Sequence, residues 1–189
     1  MSAQDSKLFV ISGPSGAGKG TLVTRVRERR SNLGLTVSAT TRAPRKGEVD
    51  GVNYFFLTRE EFDRRVVNGE FVEWAEVHGN CYGTLVSEVT SKLASGASLI
   101  LEIDVQGALQ VKERFPEAVL IFIKPPSLEV LRERLVGRGT ETPETIELRM
   151  ANAADELALA DRYDDVVVND DLDRATDELV RVLDMHERI

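Results

Sequence analysis

The chain has a single cysteine, Cys81, among its 189 residues, so no internal disulfide can form and nothing points to an oxidising compartment. With only two histidines beside it, a structural zinc site lacks its donors. No stretch approaches the ~20 apolar residues that a membrane span needs. The segment Met1–Lys7 lacks the basic-then-apolar order of a secretory signal. Positive charge is in deficit, 24 Lys and Arg against 32 Asp and Glu, for a formal net charge of -8. General binding of nucleic acid, which needs a broad basic surface, is excluded on that ground. Any phosphate must be held by local cations. Repeats and low-complexity tracts are absent, and 42% apolar residues suit one globular domain with its own core. The expectation is a single cytoplasmic domain with no membrane or nucleic-acid partner. The sequence carries no signal for an oligomeric state.

Four short apolar runs read as buried strands: Leu8–Ile11, Leu99–Ile103, Ala118–Ile123 and Val166–Val168. Their Val, Ile, Leu and Phe content fits parallel strands covered on both faces. Leu128, Leu131 and Leu135, and again Ala175, Leu179 and Leu183, recur at helical spacing. Strands alternating with helices predict an α/β fold around a central parallel sheet. Two segments break the rhythm. Residues 37–87 carry shorter extended runs (Val52–Phe56, Phe71–Val77), the turn signal Asp50-Gly51 and most of the tyrosines, and read as an inserted mixed α+β lobe. Residues 137–156 read as a short helical lid: Thr142 can cap a helix with Pro143 at its first position, and Ile146, Met150, Ala153 and Leu157 form one stripe. The core is then 1–36, 88–136 and 157–189 of one 1–189 domain.

Directly after the first strand stands Gly13-Pro14-Ser15-Gly16-Ala17-Gly18-Lys19-Gly20-Thr21, opening a helix with Leu22, Val23 and Val26. This is the strand–loop–helix setting of a P-loop. The glycines let backbone N–H groups turn inward and the helix N-terminus adds its positive end, both favouring polyphosphate. Lys19 would reach the β- and γ-phosphates. Gly20 stands where the strict pattern has Ser or Thr, leaving Thr21 or Ser15 as the hydroxyl for Mg²⁺. Glu102 and Asp104 end the strand Leu99–Ile103 at its carboxyl side, where α/β folds place ligands, and are candidates to orient magnesium-bound water.

A P-loop specifies a nucleotide, not a reaction. Arg42 and Arg45 flank Pro44 closely enough to converge on one anion, and arginine offers planar donors that match phosphate oxygens. Tyr54 and Tyr82 add hydroxyl donors on rigid rings. Taken singly, an arginine is as readily a solvated surface charge and a tyrosine half-buried packing. His78 has no set of partners in the sequence and reads as structural. Nothing around Cys81 lowers its pKa, and it reads as a bystander.

The runs Thr40-Thr-Arg-x-Pro-Arg-x-Gly-Glu48, Asn53-Tyr-Phe-Phe56, Glu70-Phe-Val-Glu-Trp-Ala75, Tyr82-Gly83, Gly137-Arg-Gly-Thr-Glu-Thr142 and Val168-Asn-Asp-Asp171 change the balance. Together with the P-loop they resemble the guanylate kinase family, in order and over nearly the whole chain. The resemblance implies a nucleoside-monophosphate kinase acting on ATP and GMP with Mg²⁺. It implies that Arg42, Arg45, Tyr54 and Tyr82 hold the GMP phosphate. Glu73, Ser38 and Thr84, with Asp104 nearby, would read the guanine. Arg134, Arg138 and Arg149 would close over the transferring group, and Asn169 would lie near the adenine. Arg132 is left as a surface charge. The chemistry is consistent: a carboxylate at Glu73 can accept from guanine N1–H and N2–H₂, while adenine would set its N1 acceptor against that carboxylate. The nucleophile would be an already ionised phosphate oxygen, so no general base is needed, and the sequence offers none.

Three rivals are weaker. A phosphopeptide-binding module of the same fold would lack a working P-loop, and Lys19 is present. A regulatory GTPase would carry an Asn-Lys-x-Asp motif, and only the loose Asp104-Val-Gln-Gly107 is there. A kinase for another acceptor would lack the set Ser38, Glu73 and Thr84.

Overall fold

The computed structural model describes residues 6–77, 79–137, 139 and 142–187. Five parallel strands form the central sheet: β1 (Leu8–Ser12), β2 (Gly34–Leu35), β7 (Leu99–Glu102), β8 (Val119–Lys124) and β9 (Asp165–Val168), in the order β2-β7-β1-β8-β9. A second sheet, of four mixed strands, is built from β3 (Ala39–Thr40), β4 (Phe55–Phe56), β5 (Phe71–Val77) and β6 (Asn80–Leu85) in the order β4-β3-β6-β5. The α/β class and the second, mixed sheet agree with the sequence.

Alternate residues of β1 explain why the core strands read as unbroken apolar runs. Phe9 and Ile11 pack with Leu22, Val23 and Val26 of α1 (Lys19–Arg29) and with Ala175, Leu179 and Leu183 of α7 (Leu172–Glu187). Leu8 and Val10 face the other way, onto Val105, Ala108 and Val111 of α4 (Val105–Arg114). A strand with helices on both faces has no polar side to alternate with. β2 was not anticipated, since a two-residue strand leaves no run to see.

In the segment 37–87, α2 (Arg59–Val67) accompanies the second sheet, and α3 (Val86–Ala94) begins at the end of that segment and packs its Val89 into the main core. Thr58 caps α2, its hydroxyl accepting from the Glu61 N–H at 3.1 Å. The expected extended run Val52–Phe56 shortens to Phe55–Phe56. Asp50 and Asn53 side chains accept from the backbone N–H groups of Phe56 and Val49, at 2.8 and 2.9 Å, and fold residues 49–54 into a turn instead.

The helices α5 (Leu128–Gly137) and α6 (Pro143–Leu157) pack through Leu131, Leu135, Ile146, Met150 and Ala153. Leu128 stays exposed at 37%. Thr142 caps α6 with Pro143 in its first turn, as read from the sequence. At 15 residues α6 is longer than the short helix expected. No helix among the described residues is long and apolar enough to cross a membrane.

Candidate active site

The loop between β1 and α1 is shaped by three glycines. Gly13, Gly16 and Gly18 have φ of 139°, 91° and 90°, a region costly for any residue with a Cβ. A Cβ on Gly13 would overlap the Ile123 carbonyl, and one on Gly18 the Asn169 amide. Lys19 lies back over this loop, its Nζ donating to the carbonyls of Gly13 at 2.6 Å and Pro14 at 3.1 Å. Ser15, Gly16, Gly18, Lys19, Gly20, Thr21 and Glu102 line one cleft of about 360 Å³. Glu102 comes from the end of β7, and its carboxylate stands 3.5 Å from where a Cβ on Gly20 would sit. That is ordinary van der Waals contact, so the carboxylate packs against Gly20 without requiring glycine there. Crowding by protein pushes the Glu102 carboxyl upward and Lys19 opposes the shift.

Around the loop the side chains interlock. Arg149, on α6, donates to the Ser15 hydroxyl. Arg134, on α5, donates to the Asn169 backbone carbonyl at 2.8 Å, and its second terminal nitrogen is buried with no hydrogen-bond partner. Arg132 pairs on the surface with Glu147, as expected of a charge outside the site. Asn169 is 5% exposed, and its side-chain amide donates to the Ala17 carbonyl at 2.7 Å. It thus anchors the glycine loop to the end of β9. We expect Asn169→Ala to leave that carbonyl unpaired, costing about 1–3 kcal/mol and raising KM for ATP while KM for GMP holds. Urea unfolding and steady-state kinetics check the two halves of that expectation.

The second sheet gathers the remaining residues on one face. Thr40 is level with Tyr82 and Phe56, and Glu73 with Thr84. Extending the same ladders by one residue sets Ser38 level with Thr84 and Tyr54. Directly opposed residues share a face, so Ser38, Thr40, Tyr54, Phe56, Glu73, Tyr82 and Thr84 lie together. The opposite face carries Ala39, Phe71, Cys81 and Leu85, closed by Phe62 of α2. Glu73 reaches the polar face only because the register shifts between Phe71 and Glu73. That bulge turns two residues of like parity to opposite sides.

Glu73 is 9% exposed and Thr84 fully buried. Burial pushes the Glu73 carboxyl above its ordinary range and the nearby Asp104 adds to this, while Thr84 opposes it. The Thr84 hydroxyl is close enough for that influence but has no hydrogen bond of normal geometry, and remains a buried polar atom without a partner. Asp104 caps α4, its Oδ1 accepting from the Gly107 N–H at 2.7 Å. A Cβ on Gly107 would lie 3.4 Å from both Asp104 Oδ1 and Glu73 Oε2, so the two carboxylates converge on that glycine. Farther along the same face, Arg42 lies over the rings of Tyr54 and Phe56, 5.4 and 5.8 Å from their centroids, and Tyr82 meets Tyr54 edge-on at 6.2 Å. Arg42, Arg45 and Tyr82 line an open groove with Val77 and Asn80.

Known proteins resemble this chain over nearly its whole length. The family model for guanylate kinase covers residues 5–186. The chain belongs to the guanylate kinase family. Guanylate kinase of Halalkalibacterium halodurans is 52% identical over 183 residues, 97% of this chain and 90% of the relative. That of Gloeobacter violaceus is 56% identical over 178 residues, 94% and 87% of the two chains. The crystal structure of guanylate kinase from Anaplasma phagocytophilum superposes with a TM-score of 0.73 at 38% identity, covering 96% of this chain and 86% of its own.

Arg138, which the guanylate kinase resemblance implied, and His78, read from the sequence as structural, lie outside the described residues. The structure brings Glu73, Thr84 and Asp104 together, and Arg42, Tyr54 and Tyr82 together, with Ser38 between Thr84 and Tyr54 on the same face. It gives Ser15 and Asn169 partners inside the P-loop region. Two residues near the site had no role in the sequence reading. Glu48 binds Arg42, with only the Gly47 turn, at φ 90°, to hint that the chain doubles back there. Glu156, near the end of α6, is pushed upward by burial while Lys19 pulls it down. A helix-surface glutamate gives no sequence signal of that.

Proposed function

We propose that this guanylate kinase transfers the γ-phosphate of ATP to GMP, giving ADP and GDP. The observation that carries the reading is the single polar face that runs from the Glu73, Thr84 and Asp104 cluster to the arginines. Guanine fits the first end: Glu73 accepts from N1–H and N2–H₂, and the unpartnered Thr84 hydroxyl, with Ser38, donates to O6. The phosphate fits the other end, where Arg42, Arg45, Tyr54 and Tyr82 supply donors. Glu102 of the loop cleft and Asp104 of the base cluster are two residues apart, which joins donor and acceptor sites through the start of α4.

ATP phosphates occupy the glycine loop, with Lys19 at the β- and γ-phosphates. Thr21 and Glu102 offer the hard oxygen donors that suit Mg²⁺, and Asp104 could act on it through water. Among the described residues no three His, Cys, Asp or Glu side chains gather as a metal cage. This fits an ion that is held mainly by nucleotide phosphates and water. Bound there, Mg²⁺ would neutralise charge on the transferring phosphoryl group. As the resemblance implies, Arg138 and Arg149 from the segment 137–156 and Arg134 from its flank would close over the same group, which excludes water and aligns the two anions.

The test is phosphoryl transfer from ATP to GMP, AMP, CMP, UMP and ribose phosphates, with and without Mg²⁺. ADP formation that needs Mg²⁺ and occurs with GMP alone is the expected result. Turnover of another acceptor in preference to GMP would discard the assignment of the polar face.

A further inference from the structure

We infer that Glu48 is a positioning residue that sets which edge of Arg42 is offered to the acceptor phosphate. The inference rests on the reading of Arg42 and Arg45 as the phosphate grip. Its basis is a count of donors. A guanidinium has five N–H bonds. Nη1 of Arg42 donates to Glu48 Oε2 at 3.0 Å and to the Ala43 carbonyl at 2.7 Å, and Nη2 donates to Glu48 Oε1 at 2.9 Å. Those contacts use both Nη1 hydrogens and the Nη2 hydrogen beside them. They leave the Nε–H and the outer Nη2 hydrogen, two parallel donors on one edge, and the Tyr82 hydroxyl is a further hydrogen-bonding neighbour of the guanidinium. Such an edge matches two oxygens of a phosphate or carboxylate.

The same carboxylate places the second arginine. The Arg45 backbone N–H donates to Glu48 Oε2 at 2.6 Å, and the Glu48 N–H returns to the Arg45 carbonyl at 3.0 Å. One side chain therefore ties residues 42, 45 and 48 into a closed loop. The pairing is partly shielded: the side chains of Arg42 and Glu48 are 15% and 19% exposed. Arg42 holds the Glu48 carboxyl below its ordinary range, with the Arg45 N–H helping, and Tyr82 is a further neighbour of the guanidinium. The guanidinium carbon also lies over the rings of Tyr54 and Phe56, which restrict it further. Ring, carboxylate and carbonyl together leave it one orientation.

Two physical effects of Glu48 on a phosphate dianion oppose one another, which makes the inference decidable by sign. As a bare charge, Glu48 repels the dianion, and removing it would tighten GMP. As a positioning group, it keeps the two donors aligned, and removing it would loosen GMP. The alignment is predicted to win, because the repulsion is already offset by the bidentate contact to Arg42, whereas an unfixed arginine must be ordered by each incoming ligand.

The experiment compares Glu48→Gln, Glu48→Ala and Arg42→Ala with the parent chain. It reads KM for GMP, KM for ATP, kcat, and inhibition by guanosine, which has the base and sugar without the phosphate. Expected for Glu48→Ala is a rise in KM for GMP of about tenfold to a hundredfold. KM for ATP and the guanosine inhibition constant should hold, and kcat should fall less than KM rises. Glu48→Gln, nearly the same shape with one acceptor oxygen, should fall between. Circular dichroism of each variant checks the fold, and Glu48→Gln keeps the test open should the alanine variant not fold. Tighter GMP in Glu48→Gln would overturn the inference, as would guanosine and GMP weakening by the same factor. If Arg42→Ala leaves KM for GMP unchanged, the phosphate-grip reading itself fails, and the inference with it.

Discussion

Glu73→Gln is expected to lower kcat/KM for GMP by about 10²–10⁴-fold and to leave ATP binding unchanged. The carboxylate can accept from guanine N1–H and N2–H₂ together, and hydrogen bonds to a charged group carry about 1.5–3 kcal/mol each. Glutamine keeps the shape but turns one acceptor into an N–H₂ donor, which meets a guanine donor head-on. Adenine, whose N1 accepts, suffers no such clash. The preference for GMP over AMP should therefore collapse by more than GMP turnover alone, since AMP gains as GMP loses. Steady-state kinetics with both acceptors decide it. An unchanged ratio would remove Glu73 from base recognition and leave the polar face without its reader.

The same substitution should make the ligand-free protein more stable near neutral pH. Burial, then Asp104, raise the Glu73 pKa in the folded chain. A carboxyl whose folded pKa lies above its unfolded value favours folding only while protonated. That contribution is present below the unfolded pKa and lost as pH rises through the folded one. At neutral pH, above the unfolded pKa, the burial of Glu73 is thus a cost to folding, which glutamine removes. Thermal melts should show Glu73→Gln above the parent chain at pH 7 and the gap closing as pH falls into the carboxylate range. Activity runs the opposite way: protonation disables the reader, so kcat/KM for GMP should decline on the acid side starting above the ordinary carboxylate range. Function at this position is maintained against stability, as is common where a site holds a desolvated charge.

How far the sequence revealed these features depends on what fixed them. Three of the four core strands, β1, β7 and β8, were legible because burial on both faces leaves an apolar run, and Phe9 with Ile11 against Leu8 with Val10 shows the two faces directly. β9 reads as apolar although Val166 is 41% exposed, so the buried strand expected there is buried on one side only. The glycine loop was legible because its backbone tolerates no Cβ at Gly13 or Gly18, so its composition is dictated. The polar face was not legible from periodicity. Residues 38, 73 and 84 meet through strand register and one bulge, neither of which leaves a spacing rule. Only resemblance to the guanylate kinases pointed to that set. Glu48 was inside a quoted motif and still went without a role, since a loop that folds on itself carries no period. Asn169 was expected near the adenine, and its amide donates to the Ala17 carbonyl of the loop. A polar residue at a strand end looks the same in sequence whether it holds a ligand or the loop that holds the ligand.

Lys19→Met should lower kcat by about 10²–10³-fold with little change in the dissociation constant for GMP. Methionine keeps most of the apolar stem and removes the charge. In the ligand-free protein Nζ rests on two neutral carbonyls, Gly13 and Pro14. Exchanging them for phosphate oxygens that gain charge during transfer is a gain concentrated in the transition state, so kcat bears most of the loss. Stability should suffer less, by about 1 kcal/mol for the lost carbonyl contacts. The loop keeps its shape through the glycine dihedrals and the Asn169 anchor, neither of which needs the lysine. Single-turnover measurements at saturating ATP and GMP separate the chemical step from binding, and circular dichroism reports the fold. Were kcat to stay within about tenfold of the parent chain, well short of the loss typical for a transition-state donor, the charge at Lys19 would be a binding element only. Arg134 and Arg149, already drawn to the Asn169 carbonyl and the Ser15 hydroxyl at the loop, would then be left to stabilise the transferring phosphoryl group.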